Sequence, residues 1–433
     1  MGPPGLWPGV LRGRDFNLYW GGVVFSQVGT RAAVAANLFQ VYQLSGSTAQ
    51  VGLVGAAQAV ALLLLSPLGG VLADRYDRRR LLQLTQAVAL LVSLALAAVT
   101  FAGVARTWMV VVAALLATAA ATFDQPARQA LIPALVPRAR LAEAIALLNP
   151  SRELAILVGP AFGGLLIAAW NPGAVYLFDA ATYAALVVTL ALLRVPALVS
   201  PIRHTTLLAS LWEGARHVLH RPLTWQLMAL DLSATVFGAY RVILPAFALT
   251  VLGVGPAGYG VLSSAPSAGA LVGSVLVFRL VRSRRSGVIV LVSTAGYGLS
   301  ICAFAQVTAF GVALLLAGLL GAADALATTV RHAAVQLETP DELRGRVSAI
   351  YQMASRGGPA LGDALVGSVA GAIGPVTALT LGGLVPVVAS GLAWITGPTV
   401  RGYTLAGPSP EPLGRSPEPQ PDTPTADGIP DSP

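Results

Sequence analysis

The stretch Gly69–Arg80, GGVLADRYDRRR, decides the fold because it is a charged gap between two long apolar runs. The run before it, VGLVGAAQAVALLLLSPL, and the run after it, LLQLTQAVALLVSLALAAV, contain no charged residue. Crossing a bilayer takes roughly 20 apolar residues, so each run is long enough to span a membrane. The four arginines and two aspartates between them must then lie in water at one membrane face.

Composition extends this conclusion to the whole chain. Hydrophobic residues make up 55% of the 433 positions and charged residues 11%, with a mean hydropathy of +0.72. A soluble domain of this length cannot bury so much apolar surface, so the chain is predicted to be an integral membrane protein. The net charge of +8 invites a nucleic-acid interpretation, but the arginines are spread among short loops, where they set orientation. No nucleic-acid partner is therefore expected.

The residue types also exclude several kinds of chemistry. All 27 basic residues are arginine, which rules out lysine-dependent nucleotide loops and Schiff-base cofactors. His217 and His220 have the helical spacing of a metal-binding pair, but no cysteine or acidic cluster accompanies them. Cys302 stands alone in an apolar run and is predicted to be inert packing. We predict no enzyme activity, no metal and no cofactor beyond a proton gradient.

Apolar runs broken by charges or by glycine and proline clusters divide the chain into twelve predicted spans. They lie at residues 16–43, 50–73, 81–104, 107–124, 143–169, 173–194, 222–250, 258–280, 287–306, 308–328, 346–371 and 375–396. With the N-terminus inside, 22 of the 27 arginines fall in cytoplasmic segments and one, Arg106, falls in an outer loop. This bias predicts that both termini are cytoplasmic.

The spans form two six-helix halves. The predicted organisation is a cytoplasmic N-terminus at 1–15, halves at 16–195 and 222–396, a linker at 196–221 and a tail at 397–433. The linker contains TTLLASLWEGARHVLHR, whose apolar residues share one face of an amphipathic helix. The tail is rich in proline and is predicted to be disordered. The first fifteen residues lack an apolar core, so no cleaved signal peptide is expected.

The two halves repeat each other at an offset of 203 residues. After spans two and eight, Gly70 and Arg79 match Gly273 and Arg282. After spans four and ten, the matching pairs are Arg128 and Arg331, Ala130 and Ala333, Pro137 and Pro340, and Ala146 and Ala349. Duplicated halves of six spans are typical of transporters, which carry the substrate between the halves.

Four motifs resemble those of the major facilitator superfamily. GVLADRYDRR at 70–79 is similar to its loop motif, with Asp77 where a glycine is usual. TFDQPARQALIPALVP at 122–137 and PDELRGRV at 340–347 resemble the branch of enterobactin and macrolide exporters, and GPAFGG at 159–164 resembles the fifth-span antiporter motif. The resemblance implies an all-α fold of two pseudo-symmetric six-helix halves in a bacterial cell membrane. The chain departs from the family in one respect. Many proton antiporters of this superfamily carry a buried arginine in span four, whereas the predicted span four here has only Arg106 at its outer end.

The resemblance also implies two groups of functional residues. A cytoplasmic gate is expected at Gly70, Asp74, Arg75, Arg78 and Arg79, where Asp74 accepts hydrogen bonds from arginines and from the N-terminus of span eleven. The plain alternative is that these arginines only set the topology. Close helix packing is expected at Gly159, Pro160, Gly163 and Gly164, with or without a role in preventing leak.

Ionisable and polar residues inside the spans are the candidates for substrate binding and coupling, because a charge in hydrocarbon costs roughly 3 kcal/mol or more without a partner or a cavity. Span one carries a polar stripe that includes Thr30 and Asn37 and is flanked by Gln27 and Arg31; span seven carries Asp231, Thr235 and Arg241. Asp231 is the predicted proton-coupling acid and is expected to pair with Arg31 across the cavity. Its alternative is a structural salt bridge with Arg31 or Arg241. Asp179, Asp324, Asp363 and the pair Arg152–Glu153 are secondary candidates.

Three functions remain open at this point. The first is proton-driven export of an amphipathic small molecule such as an antibiotic or a siderophore, by a monomer in the lipid bilayer, since the predicted lining is mostly apolar. The second is import by proton symport. The third, from another class, is a membrane sensor or structural protein that transports nothing, although an intact gate motif argues against it.

Overall fold

The computed structural model describes residues 9–75, 77–194, 207–280 and 285–405, and these residues are helical with short connections. The first half contains α1 (Arg14–Ser45), α2 (Thr48–Arg75), α3 (Arg78–Phe101), α4 (Thr107–Leu135), α5 (Leu141–Ala169) and α6 (Pro172–Leu192). After the linker helix α7 (Leu207–His220), the second half contains α8 (Pro222–Leu232), α9 (Leu244–Ala246), α10 (Gly255–Leu280), α11 (Ser286–Ala305), α12 (Phe310–Leu337), α13 (Asp341–Ile373) and α14 (Pro375–Thr396), followed by the short α15 (Pro398–Arg401). The predicted linker residues 196–206 and most of the predicted tail, 406–433, lie outside the described residues.

Within the described ranges, nine helices are long and apolar enough to cross a membrane. They are α2 to α6, α10, α11, α12 and α14. The other segments predicted as spans are α1, the interrupted segment α8–α9, and α13. All three contain buried polar side chains, among them Asn37 of α1, Asp231 of α8 and Asp363 of α13. Twelve spans and cytoplasmic termini stay predictions.

Two extensive contacts between long helices join the two halves. The helix α2 packs against α13, and α5 packs against α10. Counting spans from the start of each half, both contacts join a second helix to a fifth helix of the opposite half. The two contacts are therefore related by the same pseudo-twofold symmetry that the 203-residue repeat predicts.

The seventh span is broken, whereas the sequence predicts one continuous helix over 222–250. The segment passes from α8 through a π-helical turn, Ser233–Phe237, to an irregular stretch at 238–243 before α9 and a second π-helical turn, Phe247–Val251. The break frees backbone groups that need partners inside a membrane. One is satisfied by Tyr297, whose hydroxyl donates to the carbonyl oxygen of Gly238 at 2.9 Å.

Two helices extend far beyond their predicted C-terminal ends. The predicted spans four and ten end at residues 124 and 328, but α4 continues to Leu135 and α12 to Leu337. Arg128 and Arg331, which the sequence analysis counts as cytoplasmic loop residues, therefore lie inside helices and their side chains are largely buried. The departure noted above for span four is also wrong, because Arg128 is an arginine within that helix.

The linker helix α7 lies against the start of α13. Glu213 forms an ion pair with Arg346 at 2.6 Å, and Gly214 lies close to the backbone of Arg346. Val218 is buried, whereas Trp212 and Leu219 are exposed. The helix thus connects the linker to the second half through a polar contact and part of one apolar face.

The hydrophobic core shows which end of the bundle is closed. We call the end where α2 meets α3 and where α7 lies the arginine-rich end. At the opposite end, one cluster contains residues of both halves, including Phe39, Val54, Tyr259 and Val366. At the arginine-rich end, the clusters stay within one half: Leu82 and Leu131 belong to one, and Val330 and Tyr351 to another. Among the described residues, the halves therefore share a hydrophobic cluster at one end and none at the other.

Candidate substrate cavity between the two halves

A polar cavity of about 400 Å³ lies where the halves separate. It is lined by α1, α2, α3, α4, α5 and α6 from the first half, and by the break after α8 and by α13 from the second. A neighbouring space of about 430 Å³ shares Gln125 and Arg356 with it and continues toward the arginine-rich end past Ser66, Gln129 and Gln352. The two spaces form a path from the middle of the bundle to that end.

The polar stripe of α1 supplies one wall of the cavity. Gln27, Thr30 and Arg31 line it. Thr30 also contacts the Tyr183 hydroxyl at 2.9 Å, which anchors this wall to α6. Asn37 lies deeper, in a side pocket of about 40 Å³. Polar groups on this helix are thus positioned toward the cavity or toward other protein groups, and away from lipid.

Five arginines line the cavity, which is more basic than the sequence analysis expected. They are Arg31, Arg128, Arg152, Arg241 and Arg356. Two of them have acidic partners: Arg128 pairs with Asp124 one turn earlier on α4, and Arg241 pairs with Asp363 of α13 at 2.6 Å. Among the described residues, the other three have no carboxylate within ion-pair distance. The predicted mostly apolar lining is therefore wrong for this part of the cavity.

Asp231 pairs with a different arginine from the predicted one. Its Oδ1 lies 2.5 Å from Nη2 of Arg331 on α12, and both side chains are almost fully buried, at 3% and 1% exposure. Arg331 also donates to Thr328, and Thr235 donates to the backbone oxygen of Asp231. The predicted pairing of Asp231 with Arg31 is wrong, because Asp231 and Thr235 point into the second half. Neither lines the described cavity.

Asp179 of α6 lies in the side pocket next to the cavity. Its side chain is buried and Oδ2 accepts a hydrogen bond from Ser93 at 2.7 Å, while Oδ1 accepts none among the described residues. The pocket shares Thr30 and Tyr183 with the main cavity. Asp179 is therefore a buried acid with no arginine partner and a short polar path to the cavity.

The glycine motif of α5 makes two different close contacts. A Cβ atom at Gly159 would lie 3.0 Å from the backbone oxygen of Val28 and a Cβ at Gly163 would lie 3.2 Å from Ala32, both on α1. A Cβ at Gly164 would lie 2.6 Å from Cα of Gly260 on α10. The motif therefore packs α5 against α1 within its half and against α10 across the halves, and Pro160 contributes its carbonyl oxygen to the second contact, 2.6 Å from a Cβ built at Gly260.

The second half contains a twin of this motif at the repeat offset. GPAFGG at 159–164 corresponds to GDALVG at 362–367. Gly362 packs against the backbone of the broken segment, and Gly367 packs against Gly52 of α2 across the halves. Asp363, the residue that binds Arg241, therefore takes the place of Pro160. The 203-residue offset alone is enough to find this twin in the sequence.

The expected gate residues lie at the arginine-rich end. The backbone of Gly70, Asp74 and Arg75 continues α2, and their side chains fall outside the described part of the structure. Arg78 donates to the backbone oxygen of Ala130 at 3.2 Å. Arg79 donates to the carbonyl oxygens of Leu190 and Ala191, at 2.6 Å each, and so caps the end of α6. In the described contacts, both arginines hold helices of the first half together.

Three arginines of the cavity lining are not predicted as substrate-binding residues. Arg128 is predicted in a loop, Arg152 is predicted only as a secondary candidate paired with Glu153, and no role is predicted for Arg356. In the structure all three line the cavity, and Glu153 is exposed. The helical spacing of Asp124 and Arg128 is a signal that indicates an ion pair inside α4. Metal-binding groups of three or more histidine, cysteine or acidic residues do not occur among the described residues.

A family model described as transmembrane secretion effector matches residues 8–400. The chain belongs to this family of the major facilitator superfamily. It is similar to the enterobactin exporter of Citrobacter koseri, with 30% identity over 388 residues that cover 86% of this chain and 89% of the relative. It is also similar to the enterobactin exporter of Shigella boydii, with 31% identity over 360 residues that cover 79% and 82%.

Solved structures of this superfamily share the fold. The nucleoside transporter NupG superposes with a TM-score of 0.74 at 14% identity and covers 88% of this chain and 99% of its own. A D-xylose–proton symporter superposes with a TM-score of 0.67 at 16% identity, covering 90% and 99%. The family model and the curated relatives show that this major facilitator protein is a membrane transporter and not an enzyme, and that it is a multi-pass protein of the cell membrane.

The ion pair between Arg241 and Asp363 gives a prediction about stability. Replacing Arg241 by Gln leaves the buried Asp363 carboxylate without its partner, so we expect a lower unfolding temperature. Adding Asp363→Asn removes the unpaired charge and restores part of the loss, which corresponds to a coupling of about 0.5–3 kcal/mol. Thermal unfolding of the two single variants and the double variant in detergent measures this coupling. Strictly additive effects would show that the pair contributes nothing.

Proposed function

We propose that this transporter exports an amphipathic small molecule from the cytoplasm, with protons moving in the opposite direction, by alternating access of its twelve-helix fold. The observation that carries the proposal is the cavity between the halves, which lies beyond the core that both halves share and continues along described residues toward the arginine-rich end. The arginine bias assigns that end to the cytoplasm. A substrate can therefore enter from inside the cell in this conformation, as the first step of export requires.

The relatives support a siderophore-like substrate. Two enterobactin exporters are about 30% identical to this chain, and the alignments cover most of both sequences. Enterobactin is accordingly the first compound to test as substrate. A structural or sensory role fits less well. The halves meet at close glycine contacts and line a polar cavity, and a protein that does not move substrate does not require such a cavity.

We propose Asp179 as the residue that carries the coupled proton. It is buried, lacks an arginine partner and adjoins the cavity through Thr30 and Tyr183. Asp231, the acid favoured by the sequence, is held by Arg331 and faces away from the cavity. Taking up a proton at Asp231 would break a buried ion pair, whereas Asp179 has no such pair to lose. Asp231 remains the alternative coupling acid that the experiment tests.

Everted membrane vesicles test export and coupling together. Vesicles with the transporter are energised to an acidic interior and enterobactin is added outside, which is the cytoplasmic face of the protein. We expect uptake of enterobactin and release of protons, read from recovery of a quenched acridine dye. Asp179→Asn is expected to abolish proton release while leaving exchange of labelled for unlabelled enterobactin.

Asp341→Asn is the matched control, because Asp341 is exposed at the start of α13. Loss of proton release in Asp231→Asn, with Asp179→Asn active, would assign coupling to Asp231. Enterobactin uptake at the same rate with and without the pH gradient would contradict proton coupling. Accumulation only in right-side-out vesicles would show import by symport.

A further inference from the structure

The cavity contains three arginines whose charges no carboxylate balances at close range. Arg31 of α1, Arg152 of α5 and Arg356 of α13 all line it. Among the described residues, none of the three forms an ion pair or a hydrogen bond with a protein group. They come from both halves and line the same cavity, with Arg31 partly buried and Arg152 and Arg356 exposed.

The three arginines place like charges beside one cavity. Arg31 experiences the positive charges of Arg152 and Arg241, and Arg356 experiences that of Arg152. The acidic side chain acting on Arg31 is Glu153, which is exposed and forms no ion pair in the described structure. Asp124 and Asp363 already form ion pairs with Arg128 and Arg241. Like charges gathered in a membrane protein need a compensating group or a polar cavity.

We infer that the cavity binds an anionic substrate, in which at least two acidic oxygens contact Arg31, Arg152 and Arg356, while the apolar part lies against Val34, Leu62 and Ala121. Arginine fits this role because its planar guanidinium donates paired hydrogen bonds to carboxylate and phenolate oxygens. The inference deepens the proposed function, since it rests on the cavity being the substrate site. It adds a negative charge to the amphipathic small molecule that the sequence predicts as cargo.

The arrangement also provides a reason for the halves to close on the ligand. Arg31 and Arg152 belong to the first half and Arg356 to the second. An anion between them neutralises charges on both sides, so that the repulsion that opposes closure falls when the ligand is bound. The empty cavity keeps that repulsion.

Two dyes with one ring system test the inference on the purified full-length protein. Fluorescein is a xanthene dianion at mildly alkaline pH, and rhodamine 123 is a xanthene cation of similar size. Binding of each is measured by fluorescence anisotropy in detergent, without transport. We expect fluorescein to bind more tightly than rhodamine 123, and we expect this preference to weaken as salt is added.

Arginine variants locate the effect. Arg152→Gln and Arg356→Gln are each expected to weaken fluorescein binding by about tenfold, the loss typical of one charge-assisted contact, and to leave rhodamine 123 binding equal or tighter. Arg106→Gln is the matched control, because Arg106 is exposed between α3 and α4 and does not line the cavity. Retained rhodamine 123 binding shows that each variant is folded.

Two results would overturn the inference: tighter binding of rhodamine 123 to the unchanged protein, or fluorescein affinity that survives both substitutions. Because the assay measures binding only, its outcome is separate from that of the vesicle experiment. Normal fluorescein binding with no vesicle transport would refute the proposed export and keep the anion site. Transport of enterobactin with no preference for the anionic dye would support the proposed export and refute the anion site.

Discussion

Replacing Arg331 by Leu is expected to destabilise the protein by about 3–5 kcal/mol, the largest loss of any single change considered, because it leaves Asp231 as an unpaired buried charge. The two side chains are 1% and 3% exposed and lie 2.5 Å apart, so water cannot replace the missing guanidinium. The free energy of unfolding, measured by titration with a denaturing detergent, should fall accordingly. The double variant Asp231→Leu with Arg331→Leu should recover most of the loss, because an apolar pair has no charge to compensate.

The matched control for this prediction is Arg344→Leu. Arg344 forms an ion pair with Asp341 at 2.5 Å, but both side chains are largely exposed to solvent. Surface pairs of this kind contribute less than about 1 kcal/mol. If Arg331→Leu cost no more than Arg344→Leu, the buried pair would not be a stabilising element of the second half.

Replacing Gly164 by Leu is expected to abolish transport, because it forces apart the α5–α10 contact between the halves. A Cβ atom alone would lie 2.6 Å from Cα of Gly260 and 2.7 Å from the backbone oxygen of Pro256, and backbone atoms cannot rotate away. Overpacking of this kind costs about 1–3 kcal/mol or more. Gly164→Ala should give an intermediate loss. Enterobactin uptake into everted vesicles and thermal unfolding are the two measurements.

Gly391→Leu serves as the control, since Gly391 of α14 is exposed and a Cβ there meets nothing within 4 Å. We expect it to transport normally. Full activity of Gly164→Leu would mean that the two halves do not depend on this close approach. The same substitution at Gly367, the repeat-related residue on α13 that packs against Gly52 of α2, should reproduce the defect, because the two contacts are symmetric.

The polarity of individual segments explains where sequence reasoning succeeded and failed. Helices such as α3 and α14 are exposed over most of their surface, and their hydropathy reveals them directly. The helices α1 and α13 and the broken seventh segment contact the cavity and other helices, so they contain arginines, glycines and amides that lower their hydropathy. The Gly238 break has no strong local signal, because its freed backbone group is satisfied by Tyr297, which is 59 residues away.

The sequence by itself determined the class of this protein. The charged gap at Gly69–Arg80, the apolar runs and the 203-residue repeat depend on local composition and spacing, and these are properties that a linear chain displays. Only the tertiary structure decided which charges meet. Asp231 is 100 residues from Arg331. Arg31 is brought to Arg152 by the packing of α1 against α5, and to Arg356 only when the two halves assemble. Ion pairs form between groups that are close in space, and their positions along the chain do not set those distances.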